Sequence, residues 1–568
     1  MNYPIWSLPA SGLLIAAVAI VHVFVSHFAV GGGLFLVWTE RKAYREEDPE
    51  LLGYIRRLSR FFILLTLVFG AVTGVGIWFT IGLVHPAATS SLINIFVWGW
   101  AIEWVFFFVE ITAAIVYYYG WDRLDRKRHL AVGWIYFGAA FASLVVINGI
   151  LSFMLTPGAW LETHSFFDGF FNPTYVSSLV IRSLGAIGLA GVYALFTASW
   201  LTTGDLKKKV SRYAVTGWVA PMAIGLPFAL LWYFADATRA AIPVGEIFGA
   251  ASSRSIDLLR SAFLAPATGY PTAHLALRVS LASITLTIVL SLIVMLTRAR
   301  GGARVLASLL MIAALAAVGS SEWVREDLRK PFVISNYMFV NGTRMPAPDG
   351  SPAAAQGVND PLRVDHLQQS GIVASALYTR ASNGGQTDLE HHTETGAELF
   401  RLTCSECHTV DGYLAIRPLV RGKSVVALEG VIDRLAVPRH ANGQPALWSQ
   451  PGVELATWRN RRMPPFPGNE DERHALAIYL ATLGGGEIEA PPSAAGATVF
   501  DASCGMCHGE GTDWPLEPRL AGKNEAQIYD LLGRLPQLND AMPEFEGTDA
   551  DRHALATYLY ATRVKGGK

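Results

Sequence analysis

Eight apolar runs dominate the first 320 residues, near 9–38, 61–84, 94–119, 130–156, 176–202, 213–235, 272–297 and 302–320. Each approaches or exceeds the roughly 20 helical residues needed to cross a hydrocarbon core of about 30 Å. Lipid offers no partner to an open backbone N–H or C=O, so runs of this kind cross as helices. The chain therefore reads as all-α, beginning with a polytopic transmembrane bundle of about eight spans. Only 16% of its residues are charged, against about 25% in a soluble globular protein. The apolar surplus ends near residue 325, so the remainder has a different character. A formal net charge of -1 and the absence of a basic tail give no footprint for nucleic acid. The N-terminus lacks the basic stretch of a cleaved signal peptide. Residues 9–38 are thus expected to persist as the first span.

Loop charges set the orientation. Arg41, Lys42, Arg45, Arg56, Arg57 and Arg60 follow the first span. Arg123, Arg126, Lys127 and Arg128 follow the third. Lys207, Lys208, Lys209 and Arg212 follow the fifth, and Arg298, Arg300 and Arg304 the seventh. The opposite loops hold only Arg239, Arg254 and Arg260. The N-terminus and everything after the eighth span are therefore expected on the outer side of a bacterial inner membrane.

Beyond the bundle the sequence repeats itself. GAELFRLTCSECH at 396–408 matches GATVFDASCGMCH at 496–508, offset by one hundred residues. Each copy then has a methionine–proline turn, RMPPF at 462–466 and AMPEF at 541–545. Each closes on a helix-like stretch, DERHALAIYL at 471–480 and DADRHALATYL at 549–559. The four cysteines of the chain, Cys404, Cys407, Cys504 and Cys507, are all spent in two C-x-x-C-H motifs.

C-x-x-C-H is the attachment signature of c-type haem. Two thioethers fix the porphyrin, and the adjacent histidine, His408 or His508, is placed to bind iron. Met463 and Met542 supply the opposite ligand, a thioether that raises the potential and suits electron transfer. A zinc knuckle or a redox C-x-x-C would explain one motif, but not two with repeated flanks and repeated turns. His391, His392, His440, His474 and His553 read as solvated side chains. Residues 387–565 resemble class I cytochromes c, which implies two covalent, six-coordinate, low-spin haem c groups. The expected domains are a membrane domain at 1–335, a linker at 336–386, and small all-α cytochrome c domains at 387–485 and 486–568.

Ionisable groups inside spans are costly and default to function. His22 and His27 lie in the first span, Arg182 in the fifth and Arg278 in the seventh. Glu103 and Glu110, seven residues apart in the third, share one helical face. Glu326 and Arg329 follow the eighth run in SEWVREDLRKPF. Mutual pairing that merely holds helices together is the plain reading of any one of them. The set fits haem ligation with proton delivery.

These residues carry a resemblance to subunit I of cytochrome bd-type oxidases over residues 1–335. AIVHVFVSHFAVGGGLFLVWTE at 19–40 and GAVTGVGIWFTIG at 70–82 look like that family's first two helices. AIEWVFFFVE at 101–110 is similar to its AIE motif and following carboxylate, and GWDRL recurs at 120–124. E-D-L-R-K-P-F at 326–332 is similar to its E-x-x-R-x-P-W motif. The resemblance implies that His22 and Glu326 ligate high-spin b- or d-type haem. It also implies that Glu103, Glu110 and Arg329 serve the catalytic site, and that a second membrane subunit is present.

The departures are equally informative. The two carboxylates are one residue closer than in the family. Arg182 and Ser280 stand where the family has the histidine and methionine of its low-spin haem, and the quinol-binding loop shrinks to residues 236–271. Low-spin haem and quinol site are thus expected to be absent, with electrons arriving through the c haems from a periplasmic protein. This resembles a divergent oxidase-like branch with C-terminal cytochrome c. His85, His164 and His274 read as interfacial histidines, with ligation of a relocated haem as the alternative. Two functions follow: a cytochrome c-linked terminal reductase of O2 or a related small molecule, or a non-catalytic subunit carrying electrons between membrane and periplasmic enzyme. A bare membrane anchor is a third, opposed by His22, Glu103 and E-D-L-R-K-P-F.

Overall fold

In this computed structural model the described residues are 11–201, 204–240, 260, 271–297, 303–346, 360–379, 389–433, 435, 439–440, 453–454, 463–486, 488, 495–509, 512, 514–539 and 542–565. They fall into two compact units, Leu14–Gly82 with Thr89–Arg329, and Leu83–Ala88 with the residues from Lys330 onward.

The first unit is a helical bundle. Among the described residues eight helices are long and apolar enough to cross a membrane: Gly12–Arg45, Pro49–Val84, Val97–Gly120, Arg126–Leu155, Tyr175–Ser199, Gly204–Arg239, His274–Val294 and Arg304–Arg329. All eight expected spans are present, and the chain is a multi-pass membrane protein. Outward-facing side chains are apolar, with Val72 67% and Phe108 69% exposed, as lipid contact requires.

Two spans begin well before their apolar runs. Pro49–Ile63 buries Leu51, Tyr54, Ile55, Leu58 and Phe62 while Arg57 and Arg60 stay outside. Asp48 caps it, accepting the Leu51 N–H at 2.9 Å. Gly204–Ala214 behaves likewise, burying Leu206 and Val210. Each leads through a π-helical turn, Leu64–Gly70 or Val215–Val219, into its span. Lys209 reaches Asp48 and so ties the two amphipathic starts together. Such starts sit naturally at a membrane interface.

The GGG run of the first span is a packing device. A Cβ on Gly31 would fall 1.9 Å from the Ala186 carbonyl of the fifth span. One on Gly33 would fall 2.2 Å from the Tyr136 ring. Small residues of this kind let membrane helices approach backbone to backbone. Around them Phe28, Phe35, Phe62, Tyr136 and Trp218 form the buried core.

The eighth helix runs on to Arg329, so Glu326 and Arg329 lie on it rather than after it. Its charges form i,i+3 pairs, Glu322 with Arg325 and Glu326 with Arg329, which removes the reason for the helix to stop at residue 320.

In the second unit the stretch read as a linker is folded wherever it is described. Phe332–Ile334 pairs antiparallel with Met338–Phe339. Phe332, Phe339, Met345 and Val364 make a small core. Ile372 and Val373 donate their N–H groups to the Glu472 carboxylate at 2.8 and 2.7 Å and join the core of the first repeat. Residues 347–359 and 380–388 lie outside the described residues, as do most of 236–271 and of the joint at 484–496.

The two repeats fold alike. Leu389–Thr403 packs on Glu470–Gly484, and Ala495–Ser503 on Asp549–Leu559. The crossing point is a glycine in both. A Cβ on Gly396 would meet the Ala475 carbonyl at 2.1 Å, and one on Gly496 the Ala554 carbonyl at 2.0 Å. Capping boxes, Asn469 with Glu472 and Thr548 with Asp551, start the closing helices. Gly496→Ala is therefore expected to lower the stability of the second repeat by about 1–3 kcal/mol through overpacking. Chemical denaturation followed by haem absorbance of that repeat measures it.

Candidate functional site

Each C-x-x-C-H segment follows the first helix of its repeat as a tight turn. His408 N–H bonds back to the Cys404 carbonyl and His508 N–H to that of Cys504, both at 2.9 Å. The imidazoles are held identically. His408 Nδ1 donates to the Leu414 carbonyl at 2.9 Å, and His508 Nδ1 to that of Trp514 at 2.8 Å. A carbonyl only accepts, so the ring proton sits on Nδ1 and Nε2 keeps the lone pair. That tautomer, fixed by an outer partner, is what a metal-ligating histidine needs. Burial lowers the His408 pKa, with the Leu414 hydrogen bond partly opposing it, so the ring is neutral at pH 7. The donor set thus fits covalent haem. Met463 and Met542 are half-buried and stand in the turns before the closing helices, six residues ahead of the caps Asn469 and Thr548.

In the bundle His22 is half-buried on the first span. Its Nδ1 lies 3.1 Å from Thr73 Oγ1 on the second. The Thr73 hydroxyl already donates to the Phe69 carbonyl at 2.7 Å, so it accepts from His22 and again leaves Nε2 with the lone pair. Gly74 makes room for the ring, since a Cβ there would come within 3.2 Å of His22 Cε1. These observations fit a haem-ligating histidine. Glu326 forms an ion pair with Arg329, which holds the carboxylate from within its own helix.

Glu103 and Glu110 both turn to the fourth span. Ser143 Oγ donates to Glu103 at 2.8 Å and Tyr136 Oη to Glu110 at 3.3 Å. The paired carboxylates of the third helix therefore share one interhelical seam.

Arg182, standing where the resemblance has a haem ligand, is engaged in an ion pair 3.4 Å from Glu322. Glu322 also accepts from Arg325 Nε at 2.9 Å. Glu322 and Arg325 were not singled out in the sequence, although 322, 325, 326 and 329 follow the three–four spacing of one helical face. Ser280 Oγ meets Ser321 Oγ at 3.1 Å, so neither position offers a ligand to iron. Arg182→Gln is expected to cost about 1–3 kcal/mol, because Arg325 stays on the Glu322 carboxylate. The midpoint for heat-induced loss of the monodisperse detergent-solubilised protein reads it out.

His27 is buried and bonds the Val23 carbonyl at 2.9 Å. His164 rests on Trp160 with ring centroids 4.8 Å apart, and His274 is buried. His85 lies 3.1 Å from Glu406, the residue before Cys407. Burial raises the Glu406 carboxyl pKa, and His85 draws it partly back. Among the described residues no cluster of three His, Cys, Asp or Glu side chains is built to hold a metal ion.

Comparisons with known proteins agree with both units. Residues 11–241 match the family model for cytochrome bd terminal oxidase subunit I. Residues 491–559 match that for cytochrome c oxidase, cbb3-type, subunit III. The fold is similar to the solved bd oxidase of Geobacillus thermodenitrificans, with a TM-score of 0.50 at 17% identity, covering 58% of this chain and 89% of that one. No curated protein sequence matches.

Proposed function

From a chain whose residues 11–241 form a cytochrome bd oxidase subunit I domain and whose residues 491–559 form a cytochrome c domain, a membrane electron-transfer haem protein, we propose a cytochrome c-linked terminal reductase of oxygen or a related small molecule. Cys404, Cys407 and His408, with Met463, and Cys504, Cys507 and His508, with Met542, would hold two c-type haems, which would supply an entry point for electrons from a periplasmic donor protein. His22 and Glu326 would hold b- or d-type haem in the bundle, with Arg329 orienting Glu326 through their ion pair. When bound, that haem supplies an iron at which the acceptor is reduced. Glu103 and Glu110 hold and pass protons along the seam with the fourth span. With the c domains outside a bacterial inner membrane and protons drawn from within, turnover is electrogenic. A second membrane subunit covers part of the apolar outer face.

The observation that carries this reading is the shared chemistry of His22, His408 and His508. Each imidazole donates through Nδ1 to a fixed oxygen and keeps Nε2 for iron. Haem extraction followed by carbon monoxide difference spectra of the reduced protein tests it. Two covalent haems plus carbon monoxide-reactive haem support the reductase, and oxygen uptake with a reduced soluble donor completes the case.

The Arg182–Glu322 ion pair supports a second reading. Where the low-spin ligand is replaced by a salt bridge, the bundle serves as the membrane station of a non-catalytic electron-transfer subunit. Exclusively six-coordinate haem, silent to carbon monoxide, would select it. A protein with only its two covalent haems would be a tethered carrier.

A further inference from the structure

The seam between the third and fourth spans continues past Glu110. Glu103, Glu110 and Tyr117 recur every seven residues on Val97–Gly120. Their partners Ser143, Tyr136 and His129 recur every seven, in reverse, on Arg126–Leu155. Each step advances about 10 Å along the helices.

The last rung is a buried cluster. Glu40 and His129 are 0% and 1% exposed. Tyr117 Oη donates to Glu40 Oε2 at 2.7 Å, and His129 Nδ1 lies 2.7 Å from Glu40 Oε1. His129 Nε2 lies 2.9 Å from the Tyr117 carbonyl, which can only accept, so Nε2 carries a proton. The other nitrogen then faces a carboxyl oxygen, and that contact needs a proton as well. Either the ring is imidazolium against carboxylate, or the neutral ring accepts from a protonated Glu40. In both cases one proton is stored between the two groups, and the pair together is neutral. That is the state in which it survives burial, whereas a lone buried charge would not.

The gap from this rung to the next is not solid. The two tyrosines line a cavity there together with Gly33, Leu36, Phe62, Ile63, Ala114 and Gly133, mostly apolar walls, so a proton crosses only when a water enters and reaches the tyrosine hydroxyls. At the other end half-buried Tyr44 lies beside Glu40, and the Arg126 guanidinium sits 4.2 Å over its ring. Both belong to the arginine-rich end of the bundle.

We infer that Glu40, His129 and Tyr117 form a proton-storing site that loads the Glu110–Glu103 seam from the arginine-rich side. The inference rests on the reductase reading for its proton consumer. A proton moves from the Glu40–His129 pair through the Tyr117 hydroxyl and a cavity water to Tyr136 and Glu110. At every hop one O–H or N–H bond breaks and another forms, and the pair is refilled from the aqueous edge past Tyr44.

The full-length holoprotein tests this in two arms. In infrared spectra taken in H2O and D2O, wild type minus Glu40→Gln should show one exchangeable proton on the carboxyl–imidazole pair. A plain carboxylate beside a neutral histidine overturns the storage site, and this arm needs no turnover. In vesicles driven by ascorbate and a small redox mediator, Tyr117→Phe and the cavity-filling Ala114→Val should slow dye-reported proton uptake. The expected factor is roughly 100, the low end for a positioned proton-transfer group. Reduction of the c haems should be unchanged. Both variants keep the Glu40–His129 pair, so misfolding of Glu40→Gln does not decide the result. Unaltered uptake in both overturns the route. A wild type that takes up no oxygen overturns the reductase reading alone, with the infrared arm still deciding the stored proton.

Discussion

In His22→Ala the carbon monoxide-reactive haem signal is expected to vanish and donor-driven oxygen uptake to fall to background, while both covalent haems remain reducible. Alanine removes an imidazole whose tautomer is fixed by a neighbouring helix, through the Nδ1–Thr73 contact at 3.1 Å. The c sites lie in the other compact unit and have their own ligands, so they serve as an internal control for folding. Thr73→Val gives the graded version. It keeps the imidazole and deletes the acceptor that sets its tautomer, and loss of such an outer partner weakens metal sites about 10–100-fold. Reduced-minus-oxidised and carbon monoxide difference spectra of wild type and both variants measure this. A carbon monoxide signal that survives His22→Ala would remove His22 from the site and assign the reactive haem to another ligand.

What could be read from the sequence divides along a physical line. The eight spans were legible because hydropathy over roughly 20 residues is a property of the chain alone. The early starts at Pro49 and Gly204 were not, because an amphipathic segment with three or four basic residues lowers the average below any span criterion. The common face of Glu103 and Glu110 was legible, since seven residues is close to two helical turns. Their partners were not. Ser143 and Tyr136 look like ordinary core residues until the fourth span is set antiparallel against the third. Glu322 escaped for a similar reason, since its partner Arg182 is 140 residues away. Glu40 and His129 are 89 apart, and no periodicity joins them. The supposed linker shows the same limit. Residues 336–386 were expected to be a linker, yet two backbone N–H groups at 372 and 373 are fixed by Glu472, a hundred residues on.

The double replacement Cys404→Ala with Cys407→Ala is expected to halve the covalent haem content and abolish oxygen uptake from a soluble donor, leaving the carbon monoxide-reactive haem intact. Without thioethers the first repeat must hold haem by His408 and Met463 alone, through bonds that denaturing extraction breaks. Abolition rather than halving of uptake follows if the repeats act in series. Their packing favours that arrangement. A Cβ on Gly430 of the first repeat would fall 2.3 Å from the Ala502 carbonyl of the second, and Lys423 Nζ donates to the Gly505 carbonyl inside the second C-x-x-C-H loop. A first repeat packed directly on the second C-x-x-C-H loop would make one path with two stations. The matching pair, Cys504→Ala with Cys507→Ala, should give the same loss of uptake. Haem staining after denaturing electrophoresis counts the covalent haems, and oxygen electrode traces give the rate. Half-maximal uptake in both double variants would mean that each repeat delivers electrons independently, and the series arrangement would be wrong.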